Sequence, residues 1–177
     1  MSRFATVAAM AASLFLTAFA PAESALPENV TVATINGEPV SAEEYSLVMM
    51  RQAPRVYSLL KREKNLDDHL GYWSPDSGPD GPFAKLREMT LDELSKIKVQ
   101  QAMAKEKGIT QDVSFVTFRE GFQKENQRRK EALANGTVIY GPKQHDESAY
   151  YFIRFGDLSY QLKRKVCKET APAIPEQ

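Results

Sequence analysis

The sequence predicts a mainly α protein: a small helical domain of about four helices, with a short N-terminal strand and one long Gly/Pro-rich loop. Three observations predict it. Apolar residues recur at three- and four-residue spacing through four stretches after residue 41, the pattern of helices that each bury one face. Serine, threonine or aspartate opens each stretch, and asparagine or glycine closes the first three. Between the first two lies Gly71 to Pro82, with three prolines, three glycines and the only tryptophan, which reads as an ordered crossing loop pinned by Tyr72 and Trp73.

At 177 residues, 42% hydrophobic and 26% charged, the chain has room for one domain with one core. Lys plus Arg and Asp plus Glu number 23 each, so no global field draws the protein to nucleic acid, and Arg128-Arg129-Lys130 reads as a solvated helix face. Met1 to Ala22 has a basic start at Arg3, an apolar run from Phe4 to Ala20 and the triplet Ala20-Pro21-Ala22 before Glu23. This is expected to be an export signal cleaved after Ala22, with an uncleaved membrane tether through residues 4–20 as the alternative. The helical domain is then expected over residues 23–169 and a disordered tail over 170–177. A single Cys167 forms no internal disulfide, so stability is left to packing.

Val30 to Ile35 is rich in β-branched residues and meets Asn36-Gly37, which predicts a strand and a turn. Ser41 with Glu44 makes a capping box for the first helix, whose apolar phase from Tyr45 to Leu60 continues across Pro54 and implies a kinked helix ending near Lys64. Pro82 can open a helical turn. Thr90 with Glu93 forms a second capping box, and the second helix runs along Leu91, Leu94, Ile97, Ala102 and Met103 to a stop at Lys105-Glu106-Lys107-Gly108. Asp112 or Ser114 caps a third helix that ends at Asn135-Gly136. Thr137 to Tyr140 reads as extended, and Asp146 caps a fourth helix through Leu162, weakened at Gly156.

No catalytic cluster stands out. His69 and His145 lack a nucleophile or orienting partner at a recognisable spacing. A calcium loop starting at Asp76 would need an oxygen ligand at residue 78 and an acid at residue 87, where Gly78 and Arg87 stand. Catalytic residues, metal and cofactors are therefore all expected to be none.

The segment Val32-Ala33-Thr34-Ile35-Asn36-Gly37-Glu38-Pro39-Val40-Ser41, followed by a helix, resembles the opening of the SurA and PrsA type of exported foldases, which pair a helical chaperone domain with parvulin-type prolyl isomerase domains. Met103 to Ile109 is similar to that family's end of the second helix, and Val138 to Gln144 to a segment in its Gram-positive members. In these foldases the parvulin domain sits between the third and the closing helix, where only Thr137 to His145 lies here. A domain on the order of ninety residues does not fit in that gap. The resemblance implies a SurA N-terminal-like domain without the parvulin domain, its last helix packing beside the first. It also implies reversible capture of unfolded or nascent exported proteins in an apolar groove between the first, second and last helices.

The residues expected to bind peptide come from the surplus of aromatic and methionine side chains: Met49, Tyr57, Tyr72, Trp73, Tyr140, Tyr151, Phe152 and Phe155. Flexible methionines and amphipathic tyrosines suit variable apolar clients. Two other readings stand beside this one: a peptidyl-prolyl isomerase inherited from the family, and an envelope adaptor that binds one folded partner. The sequence does not determine the oligomeric state.

Overall fold

Residues 30–66 and 71–170 are described by a computed structural model. The expected signal and tether, His69, and the tail after Thr170 lie outside the described residues. The described residues form four long helices, as the periodicity predicts, and a two-stranded antiparallel hairpin in place of the single expected strand.

β1 (Thr31–Ile35) and β2 (Glu38–Ser41) pair through Ile35 opposite Glu38 and Ala33 opposite Val40, with a bulge between Thr31 and Ala33. Asn36 (φ 51°) and Gly37 (φ 79°) make the two-residue turn, whose left-handed backbone matches the right-handed twist of the paired strands. The second strand is not predicted by the sequence. Pro39 hides it there, because proline is poor strand material, yet it can take a sheet position where its missing N–H is not needed.

α1 (Ala42–Lys64) starts where Ser41 Oγ accepts a hydrogen bond from the Glu44 backbone N–H at 3.1 Å. It runs unbroken through Pro54 and stops at Asn65, whose left-handed backbone (φ 50°) lets its N–H bond the Leu60 carbonyl. A short 3-10 turn, Pro75–Ser77, follows in the loop. α2 (Pro82–Glu106) begins eight residues ahead of the expected capping box, with Pro82 in its first turn. Thr90 sits inside the helix, with its hydroxyl donating to the Leu86 carbonyl at 2.7 Å. The far end follows the expected stop: Gly108 takes φ 64°, its N–H bonds Lys105 O, and the Ile109 N–H bonds Ala104 O.

α3 (Phe115–Ala134) is capped by Ser114, whose Oγ accepts from the Thr117 N–H. α4 (Glu147–Thr170) is capped by Asp146 through the Ala149 N–H at 2.8 Å and takes in Thr170, the first residue of the expected tail. Between them, residues 137–146 form an irregular connection with no strand pairing.

α1 and α2 lie antiparallel: Glu44 meets Lys98 near one end of the pair, and the Lys64 ammonium reaches Asp80 O near the other. α4 packs chiefly along α2 and meets α1 near its own start, where Tyr151 and Phe152 reach Glu44 and Arg51. Ser159 Oγ donates to Gln100 Oε1 at 2.8 Å, and Lys107 pairs with Glu169 farther along. Two apolar clusters result. Val40, Val48, Leu94, Ile97, Phe115 and Tyr151 build one; Val56, Leu60, Tyr72 and Leu86 build the other, under the Trp73 loop. In that loop Tyr72 is the deeply buried ring at 1% exposure, while Trp73 lies half-buried against it edge-on, with centroids 4.8 Å apart.

Candidate functional site

A polar cluster sits inside the first apolar core. Glu44, which sequence pattern assigns to capping, points inward instead and is 1% exposed; Lys98 from α2 is equally buried and brings its ammonium to 2.9 Å from Glu44 Oε2. Tyr151 from α4 donates its hydroxyl to Glu44 Oε1 at 2.6 Å. Gln101, one turn along α2 from Lys98, lies beside the same phenol. Three helices thus meet through one carboxylate. A charge so far from water is tolerable only with an opposite charge and hydrogen bonds around it.

This cluster fixes the ionisation of Tyr151. Burial, the nearby Glu44 carboxylate and the hydrogen bond to it all push the phenol far above its ordinary value of 10.0, against a smaller opposing effect of Gln101. The sign follows from linkage. A folded value raised above the unfolded one gives stability that is fully present below pH 10 and is lost as pH rises beyond it, because only the unfolded phenol releases its proton. Urea titrations are therefore expected to show a loss of about 1 kcal/mol from this group between pH 10 and 11, because the unfolded phenol is already half ionised at pH 10. Tyr151→Phe should flatten that slope; an unchanged slope would rule the linkage out.

A depression and a cleft among the described residues are open to ligands. The first is a shallow apolar depression of about 390 Å³ on the outer side of α1 at Pro54, lined by Met50, Ala53, Pro54, Tyr57 and Trp73. Met50 is 73% exposed there. Proline within the helix leaves no long side chain to fill the space, and the Trp73 loop rises on one flank. The second is a cleft of about 320 Å³ where the end of α2, the 109–114 turn, the first half of α3 and the middle of α4 converge. Its walls are Phe118, Tyr150, Phe155 and Leu158, and its rim carries Asp112, Arg154 and Asp157. Hydrogen bonds from the Thr117 hydroxyl and the Ser114 backbone hold the Asp112 carboxyl below its ordinary range, so it is anionic at neutral pH.

The eight expected peptide-binding residues do not line one groove. Tyr57 and Trp73 line the depression, with Met49 and the buried Tyr72 in the cluster beneath. Tyr151 and Phe155 border the cleft. Phe152 lies under the Arg51 guanidinium, 3.8 Å from its ring centroid. Tyr140 stands alone on the α3–α4 connection at 89% exposure. Tyr72 and Tyr151, at 1% and 3% exposure, act as core supports for these surfaces. Met50, Phe118, Tyr150 and Leu158 complete them. Met50 and Tyr150 stand in the sequence's methionine and aromatic inventory, whereas nothing in the sequence joins α3 to this site, because the contact depends on how α3 and α4 cross.

Among the described residues no group of three His, Cys, Asp or Glu is placed to hold a metal, and no described helix is long and apolar enough to cross a membrane. His145 is anchored at the connection, its backbone N–H bonding Asn126 Oδ1 at 2.9 Å and its carbonyl accepting from Asn126 Nδ2. No family model matches the chain, and no curated protein or solved structure proves similar to it.

Proposed function

We propose that the chain is an exported chaperone-like module that binds unfolded or extended polypeptide segments reversibly, without covalent chemistry. The observation that carries this reading is the depression at Pro54. It is open, it is lined by methionine, proline and aromatic side chains, and it holds no charged residue. A surface of that kind accepts apolar side chains of varied shape, because a flexible thioether and amphipathic rings adapt their contacts at modest entropic cost. The resemblance of residues 32–41 to the opening of exported foldases supports the same reading.

The test is light scattering of a chemically unfolded client protein in the presence of the purified protein. Suppression of aggregation at near-stoichiometric amounts is expected. Met50→Glu is expected to weaken it several-fold while leaving the melting temperature within a degree or two, since Met50 is mostly in water. No suppression across several clients, together with saturable binding to one folded protein, would favour the adaptor reading instead.

A further inference from the structure

The depression at Pro54 and the sequence that follows α4 match in chemistry. Past Thr170 the chain reads Ala171-Pro172-Ala173-Ile174-Pro175, a Pro-x-x-Pro segment without a charge. Proline fixes φ near the polyproline II value, and in that helix residues three apart share one side at a spacing of about 9 Å. Segments of this kind dock in grooves walled by aromatic rings, because the helix is preformed and little entropy is lost on binding. The depression supplies such walls in Tyr57 and the half-buried Trp73, with Met50, Ala53 and Pro54 between them and no charged residue. Two exposed cations, Arg51 and Arg55, come directly after Met50 and Pro54 on α1, and Glu176 comes directly after Pro175. The apolar contact is thus flanked by opposite charges.

Reach decides whose segment it is. Glu44 meets Lys98, and from that level α2 runs one way to Lys107, beside Glu169 of α4, while α1 runs the other way to Pro54. The end of α4 and the depression therefore lie roughly 28 Å apart along the helix axes. Extended chain covers at most about 3.6 Å per residue, which keeps Pro172 within about 11 Å of Glu169 and Pro175 within about 22 Å. A chain cannot seat both prolines in its own depression, whereas a second copy can. We propose that the depression at Pro54 receives the Ala171 to Pro175 segment of a second copy of this chain. The inference rests on the polypeptide-binding reading of that surface and adds an occupant to it, so that self-association and client capture exclude one another.

The test follows the full chain across the micromolar range by analytical ultracentrifugation and by the emission of Trp73, the only tryptophan. Mass is expected to rise with concentration while the emission moves to shorter wavelength, as the segment takes water off the indole. The probe peptide N-acetyl-alanyl-prolyl-alanyl-isoleucyl-prolinamide should produce the same saturable shift in dilute protein and should return concentrated protein to monomer. Pro172→Ala combined with Pro175→Ala should weaken self-association roughly tenfold. Met50→Glu should do the same from the other side of the contact, and at 73% exposure its replacement leaves the helix intact, which circular dichroism checks. A protein that stays monomeric, a peptide that leaves Trp73 unchanged, self-association that survives both variants, or an equal response to the peptide with alanine in place of both prolines would overturn the proposal. Suppression of client aggregation by a protein that stays monomeric would leave the polypeptide-binding reading standing and remove the tail contact. Self-association through the segment without suppression would keep the contact and remove the chaperone role.

Discussion

Lys98→Met is expected to destabilise the protein by about 3–5 kcal/mol, the loss typical when one partner of a buried ion pair is removed. The figure reflects what remains more than what is lost. Glu44 would stay 1% exposed, with its charge opposed only by the Tyr151 hydroxyl and no cation at 2.9 Å. Urea unfolding monitored by circular dichroism reads the effect directly. Replacing all three polar members together, as Glu44→Leu, Lys98→Met and Tyr151→Phe, should recover most of the loss, because well-packed apolar groups commonly match a buried pair in stability. A single-variant loss below about 1 kcal/mol would mean that water reaches the pair.

The second large effect is expected at Leu94. It is fully buried in the cluster shared by the hairpin, α1, α2 and α4. Leu94→Ala removes buried methyl groups and leaves a cavity, for a loss of about 2–5 kcal/mol depending on how far the neighbours collapse. Because the site lies where α4 packs on α2, the variant should unfold in one transition at lower denaturant, with its slope unchanged. A loss under about 1 kcal/mol, or a separate early transition, would contradict a core continuous across these helices.

Much of this architecture can be read from local chemistry. Ser41, Ser114 and Asp146 cap helices as their residue types require, and Gly108 and Gly136 end helices at positive φ. Pro54 does not disguise the first helix, because the apolar phase continues on both sides of it. The misreadings come from residues whose local pattern has two meanings. Thr90 followed by Glu93 has the signature of a cap, but a threonine hydroxyl also bonds the carbonyl four residues back inside a helix, and here that bond to Leu86 prevails. Glu44 at the third helical position suits a capping box equally well. Only Lys98 and Tyr151, which are 54 and 107 positions away, turn it inward. The buried face of α2 includes Leu86, Thr90, Leu94, Ile97, Lys98 and Gln101. Three of the eight buried residues of α2 are polar, so an apolar template finds only part of the face. The same long-range pairing separates the candidate surfaces, since the helix crossings that divide the aromatic residues between a depression and a cleft leave no trace in spacing along the chain.

The connection at residues 137–146 has a consequence for how this architecture can grow. Its two ends are held independently of its middle: Thr137 N–H bonds Ala132 O at one end, and the Asn126 side chain clasps the His145 backbone at the other. Between these anchors Val138 and Tyr140 are 78% and 89% exposed, and the main tie is the Arg129 guanidinium on the carbonyls of Tyr140 and Pro142. Lengthening a loop whose ends are already fixed costs only about 0.6 kcal/mol for each doubling. An entire folded module spliced in beside Gly141 would therefore leave the helices on either side in place. Extra length is thus absorbed between α3 and α4, where the fold closes on both sides of the gap without help from what fills it.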